Sequence, residues 1–133
     1  MASARILLVE DNEVNRMVAT KLLEKRGHVV IAVENGLLAV EATASDHFDV
    51  VLMDISMPVM DGLTATAEIR NREHATGAHL PIVAVTAHAL DQDRQRCLAA
   101  GMDGYLTKPI RSSELFETVG RYAPGEEAVA AAM

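Results

Sequence analysis

The sequence predicts an α/β protein, a doubly wound parallel sheet of five strands with helices on both faces. Three observations predict it. Short apolar runs alternate with segments of helical period along the chain, the rhythm of βαβ units. The runs are nearly continuous in aliphatic residues, as expected for strands covered on both faces. Gly, Pro, Asn-Gly and Asp-Gly punctuate the joints between runs and periodic segments, where turns are needed.

The first strand is Ile6-Leu7-Leu8-Val9. A helix follows from about Glu13 to Arg26, with Val14, Met17, Val18 and Leu22 on one face and Gly27 as its stop. The second strand is His28 to Val33, and Asn35-Gly36 turns the chain into a helix over Leu37 to Ser45. The third strand is Asp49 to Met53, ending on Asp54. Pro58 and Asp61-Gly62 form a loop before a helix from Leu63 to Arg72, and Glu73 to His79 is a polar loop. Pro81 introduces the fourth strand, Ile82-Val83-Ala84-Val85. The fourth helix, Asp91 to Ala100, carries the polar run Asp91-Gln92-Asp93-Arg94-Gln95-Arg96 and few apolar anchors, and Gly101 ends it. The fifth strand is Gly104-Tyr105-Leu106-Thr107. The last helix runs from Ser113 to Tyr122, with Leu115, Phe116, Val119 and Tyr122 facing inward and Pro124-Gly125 as its stop. Residues 1–123 read as one domain and 124–133 as an Ala-rich tail, with no internal repeat and no second domain. The strand order 2-1-3-4-5 suits such a chain.

Composition narrows the function classes. The chain has 133 residues, the size of one domain, and is 50% hydrophobic but only 3% aromatic, so Val, Leu, Ile, Ala and Met must build the core. Its net charge of -7 argues against direct nucleic-acid binding, which needs a basic face. The single Cys97 forms no internal disulfide, which suits a reducing compartment. No apolar run approaches the roughly 20 residues that span a bilayer, and Met1-Ala2-Ser3-Ala4 lacks signal-peptide architecture. A cytoplasmic location without membrane contact is the expectation.

The chemistry gathers at the strand ends. Glu10-Asp11 follows strand one, Asp54 ends strand three, Thr86 ends strand four and Lys108 ends strand five. A carboxylate at the tip of a buried strand is costly unless something uses it. In open parallel sheets the ligand site lies off those carboxyl ends. Three crowded carboxylates repel one another. A hard cation relieves this, and Mg2+ prefers one or two carboxylates with water and phosphate oxygens. Lys108 adds a positive charge for a phosphoryl oxygen and Thr86 a hydroxyl donor. Together they form a phosphoryl-transfer site with a carboxylate nucleophile.

Each position alone also fits a plainer role. Asp11 or Asn12 can cap the first helix. Asp54 can be a loop-entry residue, Thr86 a strand-end hydroxyl, Tyr105 a half-buried aromatic. Lys108 can be a surface lysine lying on apolar atoms. Their joint placement favours the functional reading. His28, His47, His74 and His79 show no metal-ligand spacing and read as surface or loop residues. Cys97 reads as a small packing residue, and Met53, Met57, Met60 and Met102 as core and loop packing.

From Arg5 to Tyr122 the chain resembles the receiver domain of two-component response regulators. The resemblance rests on Val9-Glu10-Asp11-Asn12, on Leu52-Met53-Asp54-Ile55-Ser56-Met57-Pro58-Val59-Met60-Asp61-Gly62, on Ala84-Val85-Thr86-Ala87 and on Tyr105-Leu106-Thr107-Lys108-Pro109-Ile110. Asp11-Asn12-Glu13-Val14-Asn15 and Cys97-Leu98-Ala99-Ala100-Gly101-Met102-Asp103-Gly104-Tyr105 look most like receivers of hybrid sensor histidine kinases. The resemblance implies a flavodoxin-like (βα)5 fold and a phosphoacceptor role for Asp54, charged from phosphohistidine. It implies Mg2+ held by Glu10, Asp11, Asp54 and the backbone carbonyl of Ser56. Lys108 would contact the phosphoryl group, Thr86 would hydrogen-bond it, and Tyr105 would change rotamer in step. The readout surface would be the fourth helix, fifth strand and fifth helix, and the Lys108-Pro109 bond would be cis. The implied partner is a histidine kinase or histidine phosphotransfer protein, and the implied state a monomer or weak dimer. No turnover of an external substrate is expected. Ser56 and His88, two residues past Asp54 and Thr86, would set the dephosphorylation rate.

Two other classes fit the residues less well. An aspartate-nucleophile phosphatase on a similar fold would end its strand Asp-x-Asp, and here the chain reads Asp54-Ile55-Ser56. A nucleotide- or flavin-binding module would place a Gly- or Ser/Thr-rich loop after strand one, and Glu10-Asp11-Asn12 is acidic instead.

Overall fold

In the computed structural model of the chain the described residues are 3–55, 57, 59–87 and 91–122. Ser56, His88 and the tail at 124–133 lie outside them. The elements run β1 (Arg5–Val9), α1 (Glu13–Lys25), β2 (Val29–Val33), α2 (Gly36–Ser45), β3 (Val50–Asp54), α3 (Gly62–Glu73), β4 (Ile82–Thr86), α4 (Asp91–Ala99), β5 (Gly104–Thr107) and α5 (Ser112–Tyr122). The strands form one sheet in the order β2-β1-β3-β4-β5, and every pairing is parallel. The expected order is therefore the observed one.

The continuous apolar runs are split by the two-residue period of a strand. Leu7, Val9, Val51, Met53, Ile82 and Ala84 point to one face, where they meet Ala39, Ala65, Ile69, Cys97 and Met102. Ile6, Leu8, Val50, Leu52, Val83 and Val85 point to the other, against Leu23, Leu115 and Val119. Cys97 is buried in the first cluster, as a packing residue would be. β2 departs from the expectation of two covered faces: Val29 and Ile31 are exposed, because β2 is an edge strand with one neighbour.

Three short polar side chains start the helices. Asn12, Asn35 and Asp61 each accept a backbone N–H three residues on, from Asn15, Leu38 and Thr64 at 2.8–2.9 Å. Asn12 thus satisfies the α1 terminus and leaves Asp11 without capping duty. Gly62, at the start of α3, has to be glycine for a steric reason. A Cβ there would lie 2.4 Å from the backbone oxygen of Asp54.

The expected inward face of α1 needs correction. Val14, Met17 and Val18 are exposed, whereas Leu23 is fully buried and Ala19 and Leu22 pack on the same cluster. The helix carries two apolar stripes, and hydrophobic period alone cannot say which one meets the sheet. In α5 the expected face is the observed one, with Leu115 and Val119 buried and Phe116 and Tyr122 packed beside them.

Far from the strand carboxyl ends, Arg70 ties α3 to the joints that lead into β4 and β5. It donates to the carbonyls of Gly101 and Leu80, both at 2.8 Å, and pairs with Asp103 at 2.9 Å. Asp103 also faces His79 Nε2 at 2.5 Å. His28 accepts the Ala4 N–H at 3.0 Å. These histidines serve local structure, and among the described residues no histidine enters a metal-ligating cluster.

Candidate functional site

The sheet register sets the site. Val9 pairs with Met53, Met53 with Ala84 and Thr86 with Thr107, so the strands end nearly level and their next residues share one edge. Backbone bonds then pin each exit. Glu10 N–H donates to Val33 O at 3.0 Å, Ile55 N–H to Val85 O at 3.2 Å and Lys108 N–H to Thr86 O at 2.7 Å.

On this edge Glu10, Asp11 and Asp54 each bring a carboxylate oxygen within 4.8 Å of the others. Glu10 and Asp54 are 6% and 3% exposed, too buried for water to screen their repulsion. Lys108 Nζ answers both, 2.9 Å from Asp54 Oδ2 and 3.0 Å from Glu10 Oε1. Burial works against the Lys108 ammonium, but its hydrogen bonds and charge pairing with Asp54 and Glu10 prevail and raise its pKa. Three carboxylates and one ammonium leave two negative charges, which a hard divalent cation balances with the all-oxygen ligands it prefers.

Thr86 is buried at the end of β4, between the strands that carry Asp54 and Lys108. Tyr105 lies half-buried on β5. The Arg94 guanidinium of α4 sits 4.4 Å from its ring centroid and donates to its hydroxyl. The Lys108-Pro109 bond is cis, as the resemblance implied. Thus Glu10, Asp11, Asp54, Thr86 and Lys108 come to one edge and Tyr105 stands beside it. Ser56 and His88 fall outside the described residues. Sequence reasoning missed Arg94, and also Arg16, whose Nη1 donates to the carbonyls of Glu10 and Asp11 at 2.8 Å and 3.4 Å. The nearest signal for Arg16 was its place in the first turn of the helix that follows the acidic pair.

The pattern of the response regulator receiver domain family matches residues 6–120. The chain belongs to that family.

This receiver domain is 47% identical to the sensor protein GacS of Pseudomonas syringae pv. syringae over 116 residues, 86% of the chain and 13% of GacS. It spans only a small part of such relatives, 16% of a probable histidine kinase 1 of Oryza sativa subsp. indica and 4% of a hybrid signal transduction histidine kinase of Dictyostelium discoideum. Among solved structures it resembles the receiver domain of a sensor histidine kinase from Pseudomonas aeruginosa, which has magnesium coordinated in its active-site cleft. Identity there is 44% and the TM-score 0.81, covering 91% of this chain and 98% of the other. It also resembles the receiver domain of Ssk1 from Saccharomyces cerevisiae, crystallised with the histidine phosphotransfer protein Ypd1, with 28% identity, a TM-score of 0.88, and 92% and 90% of the two chains covered. No helix among the described residues is long and apolar enough to cross a membrane.

Proposed function

We propose that this receiver domain accepts a phosphoryl group on Asp54 from the phosphohistidine of a kinase or phosphotransfer partner, with Mg2+ at Glu10, Asp11, Asp54 and the backbone carbonyl of Ser56. One observation carries the reading: a nearly buried carboxylate shares its lysine with a second acid and has a third within reach. An Asp54 oxygen attacks phosphorus, the P–N bond breaks, and the histidine nitrogen keeps the electron pair. Bound Mg2+ supplies positive charge to the oxygens of the transferring group. Lys108 supplies a second positive charge by exchanging its Asp54 contact for a phosphoryl oxygen. Glu10 keeps Lys108 aimed at the site.

Once attached, the group carries roughly two negative charges and strong acceptor oxygens. Thr86 donates to it and moves toward it. Tyr105 turns into the space released, and α4, β5 and α5 carry the change outward. Ser56 and His88, two residues past Asp54 and Thr86 in the sequence, would set the lifetime of the acyl phosphate. The domain therefore catalyses its own phosphorylation and hydrolysis and turns over no separate substrate.

The partner's docking surface is the exposed stripe of α1. Val14, Met17 and Val18 are 64%, 48% and 52% exposed, on the helix that begins beside Asp11. Next to them a groove of about 460 Å³ runs between α1 and the start of α5, lined by Val18, Ala19, Leu22 and Ile110, with Glu10 and Lys108 also on its wall. A partner seated on it reaches the carboxylates. We read the domain as a cytoplasmic monomer or weak dimer from a hybrid sensor histidine kinase, without nucleic-acid contact.

Incubation with acetyl phosphate and Mg2+ tests the reading. It predicts a mass gain of about 80 Da, one phosphoryl group, that is lost in Asp54→Asn. Labelling that survives this substitution refutes the assignment.

A further inference from the structure

We infer that Arg16 is a positioning residue for the acidic pair, holding the Glu10-Asp11 backbone so that the carboxylates face a cation together. The inference rests on the Mg2+ reading above. Between β1 and α1 only Glu10, Asp11 and Asn12 make the turn, and two of the three supply carboxylates to the site. Several groups of this turn already have partners. Glu10 N–H donates to Val33 O at 3.0 Å, Asn12 N–H to Glu10 Oε2 at 3.2 Å and Asn15 N–H to Asn12 Oδ1 at 2.9 Å.

The carbonyls of Glu10 and Asp11 belong to neither the strand ladder nor the helix. Arg16 Nη1 donates to both, at 2.8 Å and 3.4 Å. Its own backbone is fixed in the first turn of α1, with N–H on Asn12 O at 2.9 Å. One guanidinium nitrogen thus ties two consecutive peptide planes. Mutual repulsion among Glu10, Asp11 and Asp54 would otherwise turn these planes and carry the carboxylates apart. The tie keeps the ligand set assembled before the cation arrives. Partners of this kind, which orient metal ligands without touching the metal, commonly change metal affinity 10- to 100-fold.

A purely electrostatic role for Arg16 predicts the opposite sign. A positive charge beside the acids would oppose Mg2+, so its removal would tighten binding. Mg2+ titration by calorimetry therefore separates the two. The variants are Arg16→Met, which keeps an unbranched helix-forming stem, and Arg16→Lys, which keeps the charge but loses the planar donor. Thermal melts in EDTA check that each is folded. Arg16→Met should bind Mg2+ about tenfold more weakly than the parent, and Arg16→Lys more weakly by a smaller factor. Equal or tighter binding by Arg16→Met overturns the inference. If Arg16→Met fails to fold, Arg16→Lys decides by the same criterion. A parent domain that takes up no Mg2+ overturns the metal reading and this inference with it. A parent that binds while Arg16→Met binds equally well overturns this inference alone.

Discussion

Lys108 reaches across the end of β4 to meet Asp54. Its Nζ lies 2.9 Å from Asp54 Oδ2, although β5 and β3 are separated by β4 in the sheet. Two strand spacings are roughly 10 Å, so only a long side chain spans the gap, and Thr86 ends the strand between them. The lysine thereby occupies ground that both a cation and a phosphoryl group would claim.

Replacing Lys108 should therefore split binding from chemistry. In Lys108→Met, Glu10 and Asp54 lose a competitor for the cation, and Mg2+ should bind more tightly by calorimetry. Labelling by acetyl phosphate should slow by about 100- to 1,000-fold, the usual cost of removing one such charge-stabilising donor. Mg2+ affinity and labelling rate falling together would contradict this division of roles.

Gly62 controls the placement of Asp54 from the far side of the loop. A Cβ at Gly62 would lie 2.4 Å from Asp54 O and 2.9 Å from both Ile55 Cα and Met53 Cγ. Gly62→Ala should destabilise the domain by about 1–3 kcal/mol, as overpacking does, and slow labelling. Gly120→Ala, with nothing within 4 Å of its Cβ, should leave both intact. Denaturant melts and labelling time courses check the pair.

Much of this architecture is legible in the sequence because each piece has a local cause. The run Val50 to Met53 is apolar at every position since β3 lies inside the sheet with both faces covered. Asp54 stands out as a carboxylate where that burial ends. Glu10, Asp11, Thr86 and Lys108 were found by the same logic of strand ends. The α1 face was misread because Val14, Met17 and Val18 have the period of a core stripe and sit on the outside. Burial and a partner surface leave the same hydrophobic signal. Arg16 and Arg94 were missed for another reason. A long polar side chain declares its role only by what it reaches, and Tyr105 or a pair of loop carbonyls becomes its neighbour only in the folded chain.

His28 predicts a pH dependence. Its Nδ1 accepts the Ala4 N–H at 3.0 Å, which requires an unprotonated nitrogen. Burial and the nearby Arg26 charge lower its pKa. The unfolded chain protonates His28 at its ordinary pKa of about 6.5, so it binds more protons than the folded chain just below that pH. The stability His28 contributes is thus present above about pH 6.5 and lost as pH falls from there through the lowered folded value. The Tm should drop less in His28→Gln than in the parent between about pH 7.5 and pH 5.5. An equal drop in both would contradict the assignment.

The central claim is that Asp54 itself carries the phosphoryl group. The most direct measurement phosphorylates the domain from a phosphohistidine-bearing phosphotransfer protein with Mg2+, reduces the acyl phosphate with borohydride and maps the product by peptide sequencing in the mass spectrometer. The account predicts homoserine at position 54 and unmodified Glu10 and Asp11. A reduced residue at either of those acids, with Asp54 unchanged, would contradict it.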